Sequence, residues 1–137
     1  MATLLAHITV RPGTEARFEA IARELYAASH GSEPGLRYYE YWRGQAERSY
    51  YTLLAFDDHR AWIDHQVSDH HESSSPDLRP IIESIRLEFV DPVVGASPLP
   101  PTERQEPRAD ADELTVAYTE RFAATVADWW QVRRDDP

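Results

Sequence analysis

Six histidines and seven tyrosines are the groups in this 137-residue chain best suited to acid–base work on an aromatic molecule. The chain has no cysteine, and all fourteen basic residues are arginine, so thiolate and Schiff-base lysine chemistry are excluded. His7 stands inside the first apolar run, Leu4 to Val10, where an imidazole titrating near neutral pH could act as a base or could be a hydrogen-bonded polar residue on a mixed strand face. His59, His65, His70 and His71 gather with Asp64 and Asp69 at spacings that fit no common metal site, so no metal is expected. His65 and His70 lie five apart and do not stack on one helical face. His70 is read as facing a cavity, with helix-end capping as the alternative. Tyr39, Tyr41, Tyr51 and Trp62 could line a slot for a flat ligand, or could fill a dimer core. Arg37 and Arg43 could hold an anionic oxygen or be solvated and ion-paired.

Composition narrows the partners. The formal net charge is −10, and both the first 95 residues (nine Arg against fifteen acids, −6) and the remainder (five Arg against nine acids, −4) are acidic. A polyanion would be repelled, because nucleic-acid binding needs a clustered basic footprint; nucleic acid and anionic membrane are not expected partners. No apolar run approaches the ~20 residues that span a bilayer, and the N-terminus lacks signal-peptide character, so a cytoplasmic location is expected.

The elements that must position these residues follow from periodicity. Leu4–Val10 alternates as a strand, stopped by Arg11-Pro12-Gly13. Thr14 offers an N-cap to a helix ending near Gly31, whose apolar stripe is Phe18, Ile21, Ala22, Leu25 and Tyr26. Leu36–Arg43 and Ser49–Phe56 form an aromatic hairpin. Asp57 or Asp58 caps a second helical region through Asp69; the Ser73-Ser74-Ser75-Pro76 run breaks it, and a helical turn restarts from Leu78 to Ser84. Ile85–Val90 is a fourth strand. The order β-α-β-β-α-β predicts a ferredoxin-like α+β domain over residues 1–94, with both sheet faces apolar enough to require homodimerisation into a closed α+β barrel. A proline-rich linker follows over 95–109, then a C-terminal amphipathic helix over 110–137 that must dock on the domain or on its partner, with Leu114, Tyr118, Phe122, Val126 and Trp129 expected on a partner surface.

The strand exit Ile8-Thr9-Val10-Arg11-Pro12-Gly13, the turn Pro34-Gly35-Leu36 followed by Tyr39, and the segment Ala61 to His70, with Ser68 before the second of two histidines, resemble the antibiotic biosynthesis monooxygenase family over about residues 3–94. The resemblance implies small dimeric α+β barrels that include cofactor-independent quinone-forming oxygenases and haem-degrading enzymes. The chain departs from those members at informative places. Leu54-Ala55-Phe56 stands where many end strand three with Glu-x-Trp or Gln-Trp, and Thr52 stands nearest the oxygenases' Asn. Strand one has Ala6-His7 rather than the haem-degraders' Asn, and no Trp-His dipeptide occurs, so haem is not expected.

Two functions follow. One is a monooxygenase without cofactor, oxidising a polycyclic phenol, hydroquinone or anthrone-like molecule, with His7, Trp62 and His70 as catalytic residues and Tyr39, Tyr41, Tyr51 and His65 around the substrate. The other is a non-catalytic ligand-binding or interaction module that keeps the barrel.

Overall fold

The strands form where β-branched and aromatic side chains alternate. β1 (Ala2–Val10), β2 (Leu36–Arg43), β3 (Ser49–Phe56) and β4 (Ile82–Phe89) pair antiparallel in the order β2-β3-β1-β4, and α1 (Glu15–Ser32), α2 (His59–Gln66) and α3 (Asp69–Leu78) cover one face, the ferredoxin-like arrangement. The computed structural model of the chain describes residues 1–135; Asp136 and Pro137, the end of the expected 110–137 helix, lie outside the described residues. The period of two sends Leu4, Ala6, Ile8 and Val10 of β1 into the core, and Leu5, His7 and Thr9 to the opposite, open face. Among the described residues no helix is long and apolar enough to cross a membrane.

Local chemistry shifted several boundaries. Thr14 does not cap α1 with its side chain; its hydroxyl donates instead to the Arg11 carbonyl at 2.7 Å. Along α1 the buried positions are Phe18, Ala22, Leu25 and Ser29, so Tyr26 turns outward at 46% exposure and Ser29 takes the inner place. The helical region breaks at Val67-Ser68 rather than at Pro76: Asp58 caps α2 by accepting from the Ala61 N–H at 2.8 Å, and Ser68 opens a new helix by accepting from the His71 N–H at 3.3 Å. Pro76 falls in the last turn of α3, where few backbone hydrogen bonds remain to lose. The expected turn through Ser84 gives way to strand from Ile82, because Ile82 pairs with Val10 across a bulge.

Beyond β4 the expected single helix is two, α4 (Glu113–Arg121) and α5 (Asp128–Arg134). The interruption has a tertiary cause. The Phe122 carbonyl, which would continue α4, instead meets His59 Nε2 at 3.1 Å, and the Ala124 carbonyl accepts from Arg104 Nε at 3.0 Å. Part of the expected stripe packs within the chain: the Phe122 ring lies 5.5 Å from Trp62 and 5.5 Å from Tyr118. Leu114 and Trp129 remain exposed. The proline-rich segment is tied down as well, by Thr102, whose Oγ1 accepts from the Thr3 N–H at 3.2 Å and donates to the Val90 carbonyl at 2.9 Å.

Gly35 sets how closely β2 approaches α2, since a Cβ placed there would lie 2.7 Å from the Ala61 Cβ. Gly35→Ala should therefore destabilise the fold by about 1–3 kcal/mol. In urea unfolding, Ala61→Gly in the same chain should recover part of that loss; a Gly35→Ala variant as stable as wild type would count against the close contact.

Candidate active site

The covering helices leave space over the middle of the sheet, and a cavity of about 400 Å³ lies there. Register decides what it sees: Ala6 pairs with Thr52 and Thr52 with Tyr41, so one row of inward side chains from β1, β3 and β2 forms its floor. Tyr39, Tyr41, Thr52 and Leu54 come from the hairpin, Phe18 and Leu25 from α1, and His65 and His71 from α2 and α3. Most of the lining is apolar, which suits a flat hydrophobic ligand.

His65 is the chemical centre of this wall. It is only 1% exposed, and its Nδ1 lies 2.9 and 3.0 Å from the two carboxylate oxygens of Glu33, the residue that ends α1. Burial pushes the Glu33 pKa up, but hydrogen bonding and charge from His65, helped by Ser29 and His70, outweigh it and hold the carboxyl below its ordinary value. An ionised carboxylate can only accept, so Nδ1 is the donor to Glu33, and in the neutral form of the ring the lone pair falls on Nε2. That Nε2 is buried without a hydrogen-bond partner in the protein.

His70 completes the support from behind. Its Nε2 lies 2.6 Å from Glu33 Oε1 and 3.1 Å from both the Ser29 and Ser68 hydroxyls. Glu33, His65 and His70 bring their ligand atoms within 4.8 Å of one another, a set able to hold a metal ion. Each of these atoms already has a hydrogen-bonding partner at ordinary distance, so the cluster is satisfied as a relay in which Glu33 is shared by two imidazoles.

Two further polar atoms in the wall lack protein partners: Thr52 Oγ1 and His71 Nδ1. The His71 ring lies 4.9 Å from that of His65, and burial, then the charge of His65, lower its pKa from 6.5 to about 4, so it is neutral near pH 7. Tyr39 and Tyr41 touch hydroxyl to hydroxyl at 2.5 Å. Burial raises both pKa values, which keeps the phenols protonated as donors.

Of the residues expected from sequence, Tyr39, Tyr41 and His65 meet at the cavity. The others do not line it. His7 lies on the opposite sheet face, 3.2 Å from Glu88, with Tyr51 edge-on at 5.4 Å, because both occupy outward positions of paired strands. Trp62 is 1% exposed and lies between the rings of Phe89 and Phe122. His70 turns toward Glu33. Arg37 and Arg43 are ion-paired with Asp57 and Glu19. Glu33 was not anticipated, since it carries no periodic signal, and His71 entered only among the histidines weighed for a metal site.

The sheet order and the helices on one face define a ferredoxin-like α+β domain with a histidine-walled cavity between its layers. The chain belongs to the antibiotic biosynthesis monooxygenase family, whose model matches residues 1–74. Its fold is similar to that of a Pseudomonas aeruginosa protein (24% identity, TM-score 0.61, covering 65% of this chain and 90% of that one). A Mycobacterium tuberculosis protein is similar in the same way (15% identity, TM-score 0.63, covering 70% and 98%), as is an antibiotic biosynthesis monooxygenase of known structure (18%, TM-score 0.63, covering 68% and 99%). No curated protein matches the chain.

Between pH 6.5 and about 4 the unfolded chain binds a proton at His71 that the folded chain refuses, so stability falls on acidification through that window. His71→Phe removes the titration. In urea melts at pH 7, 6, 5 and 4 the variant should gain on wild type as pH falls, while a difference independent of pH would refute the assignment.

Proposed function

We propose that the cavity is the active site of a cofactor-independent monooxygenase acting on a flat phenol, hydroquinone or anthrone-like molecule. The observation that carries this reading is one apolar cavity whose lining residues include three with a buried, unpartnered polar atom each, His65 (Nε2), His71 (Nδ1) and Thr52 (Oγ1). An unsatisfied buried polar group costs about 1–3 kcal/mol, so three in one cavity suit a bound molecule that supplies their partners.

The chemistry follows from what each group can do. His65 Nε2 takes the acidic proton of the substrate, and the ionised Glu33 stabilises the imidazolium that forms at Nδ1. Tyr39, Tyr41 and Thr52 can donate to the oxyanion, and the apolar walls exclude the water that would quench it. The substrate anion then reduces oxygen. For an anthrone the balance is CH₂ plus O₂ giving C=O plus H₂O: one oxygen atom enters the ring carbon, and the other leaves as water with the two hydrogens lost. His70 and Ser29 act through Glu33 as positioning residues. The protein's second copy belongs to the same proposal. Trp42, Tyr51 and Tyr38 are exposed on the open face beside partly buried Leu5 and His7, and a homodimer packed sheet to sheet would cover them.

Oxygen uptake by chelator-treated protein with anthrones and hydroquinones tests the reaction. His65→Gln should lower the rate about 100-fold or more, the usual worth of a general base, while His7→Ala should leave it unchanged. Uptake equal in wild type and His65→Gln would sink the assignment. Tight binding with no uptake would favour the ligand-binding module, the alternative suggested by Leu54-Ala55-Phe56 at the end of β3.

A further inference from the structure

The cavity opens along the edge strand. Ile85 and Leu87 of β4 line it yet are 54% and 36% exposed, because α3 stops at Leu78 and α4 stops at Arg121, leaving a gap over this end of the sheet. Two arginines stand at that gap. Arg79 closes α3 and Arg121 is the last residue of α4; both line the cavity and both are exposed, so their stems bound the apolar space while their heads reach solvent.

Their freedom is unusual in this chain. Eight arginines (17, 23, 37, 43, 48, 86, 108 and 134) pair with carboxylates, as a chain with 24 acids and a net charge of −10 would lead one to expect. Among the described residues the side chains of Arg79 and Arg121, like that of Arg11, have no ion pair and no hydrogen bond; the Arg121 guanidinium lies 5.0 Å from the centre of the Phe122 ring. Neighbouring acids are committed elsewhere: Glu72 accepts from the Tyr118 hydroxyl at 2.6 Å, and Asp77 pairs with Arg17 at 2.8 Å. The C-terminal ends of α3 and α4 favour a cation nearby, which explains the placement without using any guanidinium donor.

We propose that Arg79 and Arg121 form an anion-binding subsite at the mouth of the cavity, and that the substrate is a flat polycyclic aromatic carrying a carboxylate at the end remote from the reacting ring. This rests on the reading of the cavity as an aromatic-binding site. The guanidinium fork matches a carboxylate in two parallel hydrogen bonds, and a local positive pair gives an anion a route into a protein whose overall charge repels it. Apolar walls hold the rings, His65 lies inside among the tyrosines, and the charged group stays in the wet mouth.

Binding of an anthraquinone carboxylate and of its neutral hydroxymethyl analogue, followed by quenching of tryptophan fluorescence, tests the subsite without requiring turnover. Wild type should prefer the carboxylate by about tenfold, the worth of one charge-assisted hydrogen bond, and the preference should shrink with added salt. Arg79→Gln with Arg121→Gln should abolish the preference, lowering the carboxylate's affinity about tenfold more than the neutral analogue's, while the double lysine variant should retain most of it. Equal binding of the two probes by wild type, or equal loss of both in the glutamine variant, overturns the proposal. A protein that keeps the preference but consumes no oxygen retains the subsite and loses only the oxygenase reading. Failure of both probes to bind overturns both.

Discussion

The bond between Glu33 and His65 joins the end of α1 to the end of α2, and much of the site is arranged around it. A buried imidazole and a largely buried carboxylate would each be costly alone. Together they form a charge-assisted hydrogen bond worth about 1.5–3 kcal/mol, with His70, Ser29 and Ser68 completing the carboxylate's surroundings. The same bond makes Nδ1 the donor, so in the neutral ring the lone pair is on Nε2, which has no partner within the protein. The close packing of Gly35 against Ala61 keeps the helix that bears His65 near the turn that bears Glu33.

The cavity sits where the layers fail to fill the space between them, and the rest of the core shows that this is local. Trp62, Phe56, Leu4 and Ile63 are fully buried, and Trp62 is gripped by Phe89 and Phe122. Aromatic bulk that could have plugged the void is placed instead at its flank. Of the five buried side-chain atoms without partners among the described residues, three belong to residues that line the cavity, Thr52, His65 and His71. Unpaired polar atoms gathered around one void are the pattern of a binding site, because a purely structural core would pair them or replace them with apolar groups.

The sheet was legible in the sequence because alternation is a local property: β2 and β3 begin and end where their aromatic runs do, and β1 declares its two faces. Which face the helices cover is a non-local fact, and alternation alone did not say that His7 would fall on the open face and His65 on the covered side. Helix ends went astray for a similar reason. Pro76 and the serine run look like a break, yet Ser68 caps a new helix upstream of them; the Phe122 and Ala124 carbonyls look helical, yet His59 and Arg104 claim them. Glu33 could be recognised only once the fold brought it beside a residue thirty-two positions away.

Those two claimed carbonyls change what the C-terminal segment is. Had α4 run on without interruption, its stripe would have continued past Trp62 into solvent. Instead the chain turns at Phe122, which packs on Trp62, while the preceding residue, Arg121, reaches the open end of the cavity. Tyr118 adds a second tie through Glu72 on α3, so α4 is braced against the helix that carries His70 and His71. The family match ends at residue 74, yet part of the cavity wall comes from beyond it, from Arg79, β4 and α4. The extension is therefore built into the site: it closes one flank of an aromatic cavity and supplies a cation that the family domain over residues 1–74 does not place there.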